Sequence, residues 1–260
     1  MNKETIKPAS SPLQDVEHEA ARILNTAQAQ GITLRLLGGL AVRLHSPSAA
    51  LPGLARVYPD LDFATTGNQH HKLTGLFTSL GYIPNVSFNA LNGGRRLLFF
   101  DEENERKVDI FIDTFEMCHK IPLARRLNAD PISLPLAELF LTKAQIVDVN
   151  RKDLLDMLAL LLDHPTGDND QETINLAALT SLCADDWGLY TTLQLTCNKI
   201  IVFMDENSPG LETTTIQIIK HRLGEINAAI ENTPKTIRWK IRSRAGTRLR
   251  WYNEVEEINR

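Results

Sequence analysis

Long apolar runs are missing from this sequence. None approaches the ~20 residues needed to cross a bilayer, and the opening MNKETIKPASSPLQ has no apolar core like that of a secretory signal. The expectation is a cytoplasmic protein with no membrane partner. Cysteine is scarce: Cys118, Cys183 and Cys197 are the only three. Their odd number and wide spacing exclude a disulfide framework and predict reduced, buried thiols. The histidines are scattered, apart from His70-His71, and no His-x-x-x-His or Cys-His spacing points to zinc. No Gly-x-Ser-x-Gly nucleophile motif occurs. Strong charge of one sign is also lacking, since a formal net charge of -4 exerts no global pull on nucleic acid.

What is present is ordinary globular material, 43% hydrophobic and 23% charged over 260 residues, enough for one large or two small domains. Residues 1–12, with Pro8, Pro12 and Ser10-Ser11, read as a flexible lead-in. The spacing of Val16, Ala20, Ile23, Leu24 and Ala27 predicts a helix that stops at Gly31. ITLRLL is a strand that runs into Gly38-Gly39, and LAVRLH starts a short helix. NQHHKLTGLFTSLGY predicts a further helix closed by Gly81. NVSFNAL and RRLLFF flank Asn92-Gly93-Gly94 and predict a hairpin. After ENERK, the segment VDIFIDTF alternates with a period of two. From Pro131 onward every long segment carries helical spacing, including the stretch around Asp170 to Cys183. The expected organisation is an α+β domain over residues 1–130 and a helical domain over 131–260.

RVYPDLDFATT holds the sharpest chemical signal. Side chains alternate along a strand, so Asp60 and Asp62 project to one face about 6.6 Å apart, with Leu61 and Phe63 on the other. Asp109 in VDIFID supplies a third carboxylate if its strand lies beside the first. Asp113 faces the same way but lies about 13 Å further along. Such a set suits Mg²⁺, which takes hard oxygen ligands together with substrate phosphates. One carboxylate has the further task of general base for an incoming hydroxyl. Solvated carboxylates at a strand end are the alternative. Gly38-Gly39, between a strand and a helix, would let backbone N–H groups approach a phosphate, or would serve as an ordinary tight turn. Arg43, Arg56 and Arg95-Arg96 would balance triphosphate charge, or stay solvated.

The order LLGGLAVRLH, RVYPDLDFA, KVDIFID resembles the polymerase-β-like nucleotidyltransferase superfamily. Arg56, four residues before the Asp pair, is similar to the bacterial branch of AbiEii-like and MenT-like toxin nucleotidyltransferases. LPLAELFLTKAQIVDVNRKDLLDMLALL resembles that branch through Lys143, Arg151, Asp153 and Asp156. Leu40 departs from it, standing where the superfamily commonly has a small hydroxyl residue. The resemblance covers roughly residues 32 to 163. It implies a mixed β-sheet core with flanking helices, followed by an all-helical C-terminal part. It also implies Mg²⁺-dependent transfer of an NMP from an NTP to a hydroxyl. Asp60, Asp62 and Asp109 would be the metal and catalytic set. Gly38, Gly39, Arg56, Lys143, Arg151 and Asp153 would contact the nucleotide. Acceptors run from tRNA 3′ ends through a protein side chain to a small aminoglycoside-type molecule. An antitoxin partner follows from the branch, and a non-catalytic nucleotide- or RNA-binding protein is the rival.

PKTIRWKIRSRAGTRLR, Pro234 to Arg250, carries seven cations and no acid. Arg238, Lys240, Arg242 and Arg244, with Trp239 and Trp251, form a candidate RNA surface that would hold phosphates and stack on a base. Pairing with the acidic remainder of the protein or with Glu254–Glu257 is the alternative. The pattern fits a strand or a helix.

Overall fold

A computed structural model describes residues 11–207 and 210–255. Residues 1–10 of the expected lead-in, and Glu256 and Glu257, lie outside the described residues. The fold is α+β, and contacts divide the chain into two compact units. The first holds the chain up to Leu40, Val57–Thr114 and Pro122–Leu134; the second holds Ala41–Arg56, Phe115–Ile121 and the chain from Pro135 on.

In the first unit, α1 (Val16–Ala29) begins at Asp15, whose side chain accepts from the His18 amide, and Gly31 follows it at a φ of 64°. Then come β1 (Leu34–Leu37), α2 (Gly38–His45, assigned to the second unit from Ala41), β2 (Leu61–Thr65), α3 (His70–Ser79), β3 (Ile83–Pro84), α4 (Val86–Asn92), β4 (Arg96–Asp101) and β5 (Arg106–Ile112). The sheet order is β1-β2-β5-β4-β3. Strand β2 runs parallel to β5 and antiparallel to β1, which makes the sheet mixed. Alternation sends Leu61, Phe63, Val108, Ile110, Leu97 and Phe99 to one face, where all are buried. Phe77 of α3 stacks on Phe99 at 4.8 Å and meets Phe63 at 6.2 Å and Tyr82 at 5.5 Å. That aromatic core claims one face of the sheet. The other face carries the polar residues at alternate positions.

The expected hairpin is not formed. Val86–Asn92 is a helix, capped by the Asn85 side chain accepting from the Phe88 amide. Asn89 then stands in for a strand partner: its side chain accepts from the Leu98 amide at 2.7 Å and donates to the Leu98 carbonyl at 3.0 Å. One side-chain amide satisfies both backbone groups of a strand residue, so the segment needs no extended pairing. Strand β5 also starts at Arg106, within what the sequence presents as a connecting ENERK loop.

β6 (Thr114–Glu116) and β7 (Lys120–Pro122) pair as a separate two-stranded sheet. In the second unit, α5 (Leu136–Ala144) and α6 (Arg151–Asp163) precede the short pair β8 (Thr166–Gly167) and β9 (Ile174–Asn175). Then follow α7 (Leu176–Asp185), α8 (Trp187–Asn207), α9 (Thr213–Asn232) and α10 (Ile237–Ala245). The expected helix around Asp170 starts only at Leu176, because the Asn175 side chain caps it by accepting from the Ala177 and Ala178 amides. Phe140, Met157, Leu158, Leu179, Leu193 and Ile226 are among its fully buried core residues. No helix of the described residues is long and apolar enough to cross a membrane.

Candidate active site

The polar face of the first unit's sheet gathers the carboxylates. Parallel pairing sets Asp62 of β2 directly against Asp109 of β5. Residues in register on neighbouring strands share a face, so these two carboxylates are lateral neighbours. Asp60 stands two residues before Asp62, and its Oδ1 accepts from the Lys107 amide at 3.2 Å. Lys107 and Asp109 are themselves two apart on β5. Asp113 does not join them: it sits just beyond β5 at a φ of 58°, exposed, accepting from the Gly67 amide at 2.9 Å.

Gly38 closes one side of the site. It follows β1 directly as the first residue of α2, at a φ of 72°, a backbone state that favours glycine. A Cβ there would lie 2.2 Å from Asp62 Oδ2, so the carboxylate packs against the bare Cα. Gly39 follows as the second residue of α2. Two cations sit among the acids. The Arg96 guanidinium grips both oxygens of Asp109 in a fork: Nε donates to Oδ1 at 2.7 Å, and Nη2 donates to Oδ2. Lys107 Nζ lies 4.0 Å from Asp109 Oδ2. Asp109 itself is only 2% exposed.

The chemistry of the donor set fits a hard divalent cation, since Asp62 and Asp109 present carboxylates from register positions of one face and Asp60 stands just before β2. Their present arrangement is not a closed cage. Among the described residues, no three His, Cys, Asp or Glu side chains gather closely enough to hold an ion as they stand.

The second unit assembles the other expected nucleotide contacts into an ion-pair network. Asp156, almost fully buried, receives the Arg56 fork through Nε and Nη2, both at 2.7 Å. Lys143 Nζ lies 2.9 Å from Asp156 Oδ2 and donates to Asp153 Oδ1 at 2.7 Å. Burial alone would lower the Lys143 pKa. The two aspartates outweigh burial and hold the ammonium above its ordinary range. Arg151, at the start of α6, instead lies over the Phe203 ring at 5.8 Å. Two cations balancing two anions explains why such long polar chains are tolerated at low exposure.

The basic C-terminal segment is a helix. Thr236 caps α10 by accepting from the Trp239 amide. Arg242 turns inward, 4.6 Å over the Trp187 ring, and donates to the carbonyls of Gly246 and Leu249. Trp239 packs edge-on to Tyr190, and Trp251 donates from Nε1 to Thr192 Oγ1. Arg238, Lys240 and Arg244 remain exposed, with Arg238 3.6 Å from Asp185.

Sequence reasoning paired neither Arg96 with Asp109 nor Arg56 with Asp156, and it missed Lys107 altogether. The signal for Lys107 was its spacing of two from Asp109, readable once β5 is extended to Arg106. The buried thiols match expectation: burial pushes Cys183 and Cys197 up to about 12, which keeps them protonated and inert.

No family model matches the chain, and no curated protein matches it. Among solved structures, the solution structure of the antibiotic-resistance factor ANT(2'')-Ia, described for its substrate-regulated conformation dynamics, is similar at a TM-score of 0.33 and 13% identity. The similarity covers 81% of this chain and 92% of that one. A likeness that loose decides nothing about function.

Proposed function

We propose that the carboxylate face of the first unit is the site of a Mg²⁺-dependent nucleotidyltransferase. The observation that carries this reading is the register of Asp62 against Asp109 on parallel neighbours, with Gly38 laid bare beside Asp62. A solvated strand end would need neither feature. The order of Gly-Gly turn, Asp-x-Asp and later Asp in the sequence supports the same reading.

In this account Asp60, Asp62 and Asp109 hold the metal, which when bound supplies the positive charge that draws in a triphosphate and steadies the leaving pyrophosphate. Asp109 also takes the proton of the attacking hydroxyl. Gly38 and Gly39 would cradle the phosphates with their backbone N–H groups. Nucleotide contacts by Lys143, Arg56, Asp153 and Arg151 belong to the same proposal, and require Lys143 to exchange an aspartate for a phosphate. Acceptors are ordered as tRNA 3′ ends, protein side chains, then small hydroxylated molecules. The exposed Arg238, Lys240 and Arg244 favour the polyanionic acceptor. Antitoxin pairing is the regulatory corollary.

The test is transfer of label from each α-labelled NTP with Mg²⁺, offering total tRNA, the protein itself and an aminoglycoside mixture. Label on one acceptor that disappears in Asp62→Asn is the expected result. Tight Mg²⁺-NTP binding without label on any acceptor overturns the transferase and leaves a nucleotide-binding protein.

A further inference from the structure

Asp62 and Asp109 are register partners on one face, yet among the described residues no three His, Cys, Asp or Glu side chains form a cation cage. A cation already occupies that face. Arg96, on β4, lies diagonally across from Asp109, opposite Phe111 in the strand register. Its fork takes one lone pair from each Asp109 oxygen and sets a full positive charge beside the carboxylate, where a second cation would be repelled. A carboxylate cannot offer the same lone pairs to a guanidinium and to a cation. The pair is also well shielded, with side-chain exposures of 18% for Arg96 and 3% for Asp109. Shielding strengthens the grip on Asp109 and makes an uncompensated carboxylate there expensive.

We propose that Arg96 is the resident counter-ion of this face, a stand-in cation that must leave Asp109 before a divalent metal binds. The proposal rests on reading the face as a metal site. Arg96 has somewhere to go: its guanidinium already lies 4.8 Å over the Phe111 ring and 5.9 Å over the Phe88 ring. Those ring faces retain a cation after the carboxylate is withdrawn. The displaced guanidinium stays beside the site, where an anionic substrate arriving with the metal gives it a new partner. Metal and substrate therefore bind better together than either does alone. With the metal bound, Asp109 would no longer hold Arg96, and the freed guanidinium would pair with a substrate phosphate.

Mn²⁺ binding, followed by loss of the free-ion electron paramagnetic resonance signal, reads this without turnover. Wild type, Arg96→Gln, Asp62→Asn and the double variant are compared. Arg96→Gln is expected to bind Mn²⁺ about ten- to a hundredfold more tightly than wild type, the scale of one charge-assisted fork. Asp62→Asn removes binding in both backgrounds. Equal or weaker binding by a folded Arg96→Gln overturns the proposal while leaving the metal site standing. No Mn²⁺ binding by any of the four overturns the metal reading and the proposal with it. Where Arg96→Gln does not fold, wild type alone decides, through the Arg96 Nε–H resonance during a Mg²⁺ titration. That resonance must shift and exchange faster with solvent as the metal saturates. A saturated protein with an unchanged Arg96 signal overturns the proposal.

Discussion

Gly38 shows how much can rest on one missing methyl. Its φ of 72° and its contact with Asp62 Oδ2 are separate demands, and glycine alone meets both. Gly38→Ala is expected to cost about 1–2 kcal/mol of stability from the left-handed backbone. A urea titration reads that loss. The larger effect falls on the site: the new Cβ drives the Asp62 carboxylate away from its place, so metal-dependent nucleotide binding disappears while the fold survives. Retained binding in a folded Gly38→Ala protein contradicts the close approach. The Asp60–Asp62 spacing was legible in the sequence because alternation along a strand is strict, but β2 begins only at Leu61, so Asp60 stands just outside it with its carboxylate on the Lys107 amide. Arg96 was legible only as a surplus cation. Its bond to Asp109 depends on a neighbouring strand, and no local pattern encodes which strand lies next to which.

Local patterns also mislead when two elements share them. Val86, Phe88 and Ala90 alternate as a strand would, but Asn85 caps a helix and Asn89 turns its amide onto Leu98. Tertiary hydrogen bonds decided a choice that propensity left balanced. In the helical unit, α5 and α6 are tied through Lys143 and Asp156, with Arg56 as the third member. Asp156→Asn leaves two largely buried cations short of a partner, and is expected to destabilise the protein by about 3–5 kcal/mol. Chemical denaturation checks it, and a loss below about 1 kcal/mol would show that the network matters little. A second element-scale prediction concerns His119. It is buried, its Nε2 lies 2.8 Å from Thr192 Oγ1, and burial lowers its pKa against a weaker opposing pull from Asp186. The unfolded chain then binds a proton that the folded protein resists. Stability therefore falls as pH drops through the ordinary histidine value of about 6.5, and levels off only below the lowered folded value. Urea midpoints measured between about pH 7.5 and pH 5.5 should fall in wild type and fall less in His119→Asn. Equal slopes in the two proteins contradict that assignment.

At the scale of the whole chain, the change of texture near residue 130 was visible because hydrophobic spacing switches from mixed to helical there. The grouping of Ala41–Arg56 and Phe115–Ile121 with the helical unit was not, since each is a short excursion whose partners lie far away in sequence. The basic tail illustrates the same limit. Composition marks its charge, but only packing shows that Arg242 is spent on Trp187 and on carbonyls while Lys240 and Arg244 face outward. The account as a whole stands on the carboxylate face. The most direct measurement is equilibrium binding of a non-hydrolysable NTP, with and without Mg²⁺, by wild type and Asp62→Asn. The account predicts that Mg²⁺ tightens binding to wild type about a hundredfold or more, and does nothing for Asp62→Asn. Equal Mg²⁺-dependent binding by the two proteins would contradict it.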